Sequence, residues 1–167
     1  MTTPESGALS SAALEEYLSL IDGLLAQPFP ETNFHDGTGC GGPEHRLRIL
    51  RASQDFWDDD DGQAAREADA DLRAYLDALI AGLTTRWGEP LVVDLWPYLR
   101  AGFEGEAVSE PINFLSQLAG SMQAWPHRDS GRWLALTIGQ EDKELPLELL
   151  AAVGQTPVLG PSAASRS

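Results

Sequence analysis

Apolar residues recur with a helical period in the first part of the chain. Leu14, Tyr17, Leu18, Ile21 and Leu25 share one stripe, which predicts a helix over about 11–27. Ser10 or Ser11 is placed to cap its first free N–H groups, and Pro28 and Pro30 end it. The stripe returns more strongly at Ala68, Leu72, Tyr75, Leu76, Leu79, Leu83 and Trp87, predicting a long helix over about 62–87. Asp60 or Asp61 can cap it, Gly88 and Pro90 close it, and its polar face carries Glu67, Asp71 and Asp77. Between the two, 43–57 reads as a shorter helix with Pro43 at its first position. The alternation of Leu47 and Ile49 with Arg46, Arg48 and Arg51 also fits a strand over 45–51.

After Pro90 the period shortens. "LVVDLW" (91–96) predicts a strand, which Pro97 confines to a strand end or a sheet edge. Residues 101–111 read as a loop, and Ile112, Leu115, Ala119 and Met122 favour a short helix, followed by a strand near 120–126. "RDSG" (128–131) predicts a turn. Beyond it, 132–139 alternates, with Trp133, Ala135 and Thr137 on one face and Leu134, Leu136 and Ile138 on the other. The two strands form a hairpin with Trp125 and Trp133 near its mouth. A last short helix is expected over about 146–153.

Helices first and strands afterwards predict an α+β fold. Two or three N-terminal helices would pack on a small antiparallel sheet of about three strands, with a short C-terminal helix. One domain over 10–153 is expected, flanked by a flexible 1–9 and a disordered tail over 154–167.

Charge changes the functional picture more than composition does. The chain has 26 acids against 11 bases, a net charge of −15. Such a surface repels phosphate backbones, which argues against nucleic-acid binding, and it attracts a basic protein partner. From Asp55 to Asp77 there are nine acids and two arginines, a local balance of −7. Asp58, Asp59, Asp60, Asp61 and Asp71 in this segment are candidate contacts for a basic partner. Trp125 and Trp133 are the candidate aromatic anchors, while Trp87 and Trp96 are expected inside. The alternative is a solvated face that serves solubility. No apolar run approaches the length that spans a bilayer, and the N-terminus lacks a basic, then apolar, signal pattern. No membrane association and a cytoplasmic location are expected. A single cysteine excludes an internal disulfide.

The candidate chemistry clusters in "HDGTGCGGPEH" (35–45). Gly37, Gly39 and Gly42 match the spacing G-x-G-x-x-G, but no strand-forming segment precedes them, and Pro43 and Glu44 follow where a phosphate loop needs Lys and Ser or Thr. Glu44 would also repel a phosphate. No nucleotide or other cofactor is therefore expected. His35, Cys40 and His45 carry the alternative reading of an enzyme or metal-binding protein. They could be zinc ligands with Asp36 or His127 as a fourth, or a Cys nucleophile with a His base. Their H-x4-C-x4-H spacing matches no closed zinc pattern. "DFWDDDDG" (55–62) suggests calcium, yet aligning Gly62 with the loop glycine of an EF-hand puts Trp57 and Ala68 at ligand positions. Glu141, Asp142, Lys143 and Glu144, in "QEDKELP" (140–146), could do acid–base work only if brought into a pocket.

Overall fold

The computed structural model describes residues 10–127 and 129–155. The elements run α1 (Ser11–Ala26), β1 (Phe34–Asp36), β2 (Gly39–Gly42), β3 (His45–Ala52), α2 (Gln63–Trp87), β4 (Leu91–Asp94), α3 (Trp96–Phe103), α4 (Ile112–Ser116), β5 (Ser121–His127), β6 (Arg132–Gly139) and β7 (Glu148–Gln155). The seven strands form one sheet in the order β1-β2-β3-β7-β6-β5-β4, and every neighbouring pair is antiparallel. The last strand thus lies at the centre, and β4 and β1 are the edges.

One face of the sheet is covered by α1 and α2. Leu18, Ile21, Leu24 and Leu25 of α1 meet Leu72, Leu76, Leu79 and Leu83 of α2 over Trp125, Leu134, Leu136, Leu149, Ala151 and Val153 of the sheet. Both stripes read from the sequence are therefore the buried stripes. Ser10 caps α1, its hydroxyl accepting from the Ala13 N–H at 3.1 Å. The two helices are further joined by Tyr17 edge-on to Tyr75 and by Arg86 on Asp22 at 3.1 Å. The C-terminal end of α1 is held by arginines from the sheet. Arg132 donates to the Leu25 and Gln27 carbonyls at 3.0 and 2.7 Å, and Arg46 donates to the Pro28 carbonyl at 2.8 Å. Guanidinium groups there meet both the free carbonyls and the negative end of the helix dipole.

The opposite face is covered by α3, α4 and their connections. Leu95, Ile112 and Leu115 pack on Leu47, Val93, Met122, Ala124, Trp133, Ala135, Leu150 and Ala152. The alternation predicted for 132–139 is thus realised, with Leu134 and Leu136 toward the long helices and Trp133 and Ala135 away from them. Trp125 and Trp133, paired nearly opposite each other across the hairpin, fall on different faces.

The α+β class holds, but the expected three-strand sheet with a C-terminal helix is overturned. Residues 146–153 do not form a helix. Leu149, Leu150, Ala151, Ala152 and Val153 lie in β7, buried on both faces. A strand covered on both sides reads as a continuous apolar run without alternation, so its Leu and Ala content resembles a helix. Residues 43–57 are not a helix either. The strand alternative is realised as β3, and Pro43 and Glu44 form the turn between Gly42 and His45. β1 and β2 occupy 34–42, where the sequence offered no strand-forming segment before the glycines, and residues 101–103, read as loop, complete α3. The expectations for 1–9, for Arg128 and for 156–167 lie outside the described residues. Gly154 and Gln155, assigned to the tail, belong to β7.

Candidate functional site

The acidic loop between β3 and α2 is built by one buried residue and two carboxylate caps. Phe56 is 5% exposed, and its N–H donates to the Glu144 carbonyl at 2.9 Å, which pins the loop to the 140–146 connection. Asp59 closes a turn through its N–H on the Phe56 carbonyl at 3.1 Å. Its carboxylate then accepts from the Ala64 and Ala65 N–H groups at 2.9 and 3.0 Å. Asp61 accepts from the Gln63 N–H at 3.0 Å. Gly62, in the left-handed region at φ 77°, delivers the chain into α2. The first N–H groups of α2 are thereby satisfied by Asp59 and Asp61.

The five candidate acids consequently divide. Asp59 and Asp61 cap α2, and Asp71 faces Arg51 at 3.5 Å. Asp58 and Asp60 are exposed, with no hydrogen bond or ion pair among the described residues. Between Phe56 and Asp58, Trp57 stands 65% exposed. Two aromatic residues adjacent on a tight turn point in different directions, so burying Phe56 turns Trp57 outward.

The aromatic anchors expected from the sequence, Trp125 and Trp133, are instead buried. Trp125 is 1% and Trp133 is 0% exposed, so neither offers a contact surface. Their indole N–H groups are already used, Trp125 on the Gly88 carbonyl and Trp133 on the Gln155 carbonyl. Trp96, expected inside, is instead exposed, and Trp87 is half-buried against Trp125 and His127. Trp133 is buried against Gly154, its partner across the β6–β7 pair and distant in sequence. A side chain on Gly154 would collide with the Trp133 ring.

The glycine stretch is a strand. Gly37 and Thr38 make the turn from Asp36 to Gly39, and the Asp36 carboxylate accepts from both the Thr38 hydroxyl and its N–H. Those bonds hold the Asp36 carboxyl below the usual range. Gly41 lies opposite Phe34, whose ring sits 2.8 Å from where a Cβ would be, and a Cβ on Gly39 would strike the Leu47 carbonyl. Close approach of neighbouring groups explains these glycines better than phosphate binding does.

His35 and Cys40 are directly cross-strand, while His45 pairs with Gly42 at the other end of β2. Among the described residues, no group of three or more His, Cys, Asp and Glu is placed to hold a metal ion. Burial pushes the Cys40 thiol up, and Glu110 and Asp36 push it further in the same direction. This is opposite to the shift that activates a thiolate nucleophile. Burial also pushes His45 down, outweighing Glu110 and Glu44.

The hairpin does border a cavity of about 200 Å³. Leu47, Ile49 and Leu150 of the sheet, Phe114 of α4 and Leu118 just after it line the cavity together with His35, Asp36, Cys40, Glu141 and Glu148. Glu141 and the glycine hairpin, separate motifs in the sequence, thus meet in space. Burial pushes the Glu148 carboxyl up; Glu141 raises it further and His35 opposes. Glu148 went unnoticed in the sequence, although a lone acid within "LPLELLAAV" marks where a polar group enters an apolar strand.

The chain matches no protein-family model, no curated protein and no solved structure. No helix among the described residues is long and apolar enough to cross a membrane.

Proposed function

We propose that this protein is a non-catalytic binding module that captures and neutralises a basic protein partner, of the immunity or regulatory type, in the cytoplasm. The observation that carries this reading is Trp57. It is a large aromatic side chain held 65% exposed on a loop pinned at Phe56 and Asp59, with the unpaired Asp58 and Asp60 beside it. A rigid exposed indole loses little conformational freedom on binding and is the residue type that dominates interface energies. Unpaired carboxylates around it steer a basic surface inward and set its orientation. Glu141, Asp142 and Glu144 add charge on the neighbouring connection, which the Phe56–Glu144 hydrogen bond holds against the loop. The raised Cys40 thiol speaks against a nucleophile in the hairpin.

The test is capture from host extract at low salt, with wild type compared with Trp57→Ala and with Asp58→Lys/Asp60→Lys. A single basic protein should be retained by wild type, released by raised salt, and lost with either variant. Each variant should weaken the purified complex by about tenfold or more. Retention unchanged in both variants, or no basic protein retained by wild type, overturns the proposal.

A further inference from the structure

Leu47, Ile49, Phe114, Leu118 and Leu150 give the cavity at the glycine hairpin an apolar floor, and its volume is about 200 Å³. That is somewhat more than the roughly 150 Å³ that accommodates benzene. Its polar lining is Asp36, Glu141 and Glu148 with His35 and Cys40, and no Arg or Lys lines it. The Asp36 carboxylate is engaged by Thr38, whereas the carboxylates of Glu141 and Glu148 have no hydrogen bond or ion pair among the described residues, and His35 alone pulls against the burial of Glu148. An anion entering here meets three carboxylates. A neutral apolar molecule fills the floor but leaves the two glutamates facing each other. A molecule with a hydrocarbon body and one ammonium group satisfies both ends.

We infer that this cavity is a binding site for a small organic cation, an amine of about eight to ten non-hydrogen atoms, with its hydrocarbon part on Leu47, Ile49 and Leu150 and its ammonium between Glu141 and Glu148. Glu148 carries a half-buried charge at some cost, since burial and Glu141 both push its carboxyl up, and an ammonium beside it reverses that push. The site shares Glu141 with the acidic connection beside the Trp57 loop, but no residue of that loop lines it, and its occupancy does not depend on any protein partner.

The test uses three probes of one shape and different charge: benzylamine, benzyl alcohol and benzoate, added to the isolated full-length protein. Methyl resonances of Leu47, Ile49, Leu118 and Leu150 report occupancy of the floor. Benzylamine should shift them with an affinity in about the millimolar range expected for so small a ligand, benzyl alcohol more weakly, and benzoate not at all. Glu148→Gln and Glu141→Gln should each weaken benzylamine about tenfold. Asp77→Asn, which removes an equal charge on the exposed face of α2, should leave it unchanged. Glu141 is exposed, so its variant keeps the fold even if Glu148→Gln perturbs β7. The inference is overturned if benzyl alcohol binds as well as benzylamine, if Asp77→Asn weakens benzylamine as much as Glu148→Gln, or if no probe shifts these methyls.

Discussion

Asp58 and Asp59 are adjacent and chemically identical, yet they perform different tasks. Asp59 satisfies two N–H groups of α2 and closes the turn on Phe56, while Asp58 points to solvent without a partner. Asp59→Ala should therefore cost about 1–2 kcal/mol, and Asp58→Ala should stay within about 0.5 kcal/mol of wild type. Urea unfolding of the two variants checks this. It also explains why a partner test must use Asp58 and Asp60, since reversing Asp59 would confound binding with stability. A run of four aspartates in the sequence announces helix capping without saying which carboxylate reaches the backbone. That choice depends on the turn angle at Gly62. Glu148 is the second residue whose role needed the fold. Its carboxyl is raised by burial and Glu141, so the folded-state value lies above that of the unfolded chain. At low pH both states hold the proton and the group costs nothing. As pH rises through the folded value, the native state loses stability relative to the unfolded chain. Glu148→Gln should thus be more stable than wild type at pH 8, with the difference closing as the pH falls below about 4. Unfolding curves at several pH values measure it, and a constant difference would exclude the linkage.

Among the elements, α1 and α2 were legible almost to the residue. A stripe of Leu at helical spacing bounded by Ser10, Pro28 and Gly88 has one reading. The β5–β6 hairpin was legible for the same reason at period two. What escaped were the strands whose residues do not alternate. β2 is Gly-Cys-Gly-Gly and offers no β-branched side chain. It is a strand because Phe34 covers Gly41 and the Leu47 backbone approaches Gly39. β7 escaped because both of its faces are buried, and Ala151, Ala152 and Gly154 supply the small volumes that Trp133 and its neighbours need. Hydrogen exchange tests this assignment. Amides of β7, paired on both sides and covered on both faces, should exchange slowest, and those of the edge strand β1 among the fastest. Rapid exchange at Leu150–Val153 would contradict a central strand.

For the whole molecule, the order of helices before strands was enough to reach the α+β class, and it understated the sheet by four strands: β1 is only three residues long, and β2, β3 and β7 carry glycine, arginine and an unbroken apolar run. The cavity was not legible at all, since Cys40, Phe114 and Glu148 converge only through β2, α4 and β7. The net charge of −15 was plain from composition, but its distribution was not. Arg46, Arg51 and Arg132 gather beside α1 and α2, leaving the acids to dominate the loop at Trp57 and the 140–146 connection. The position of β7 has a consequence for how the chain is made. β1, β2 and β3 form one ribbon and β4, β5 and β6 another, and only β7 joins them. Emerging from the ribosome N-terminus first, the chain displays two half-sheets with raw inner edges at β3 and β6 until residues 148–155 arrive. Those edges are open to pairing with other chains during that interval. The nascent protein is therefore exposed to misassembly until residues 148–155 are free to pair, and a chain cut short before Glu148 would leave two ribbons with nothing between them.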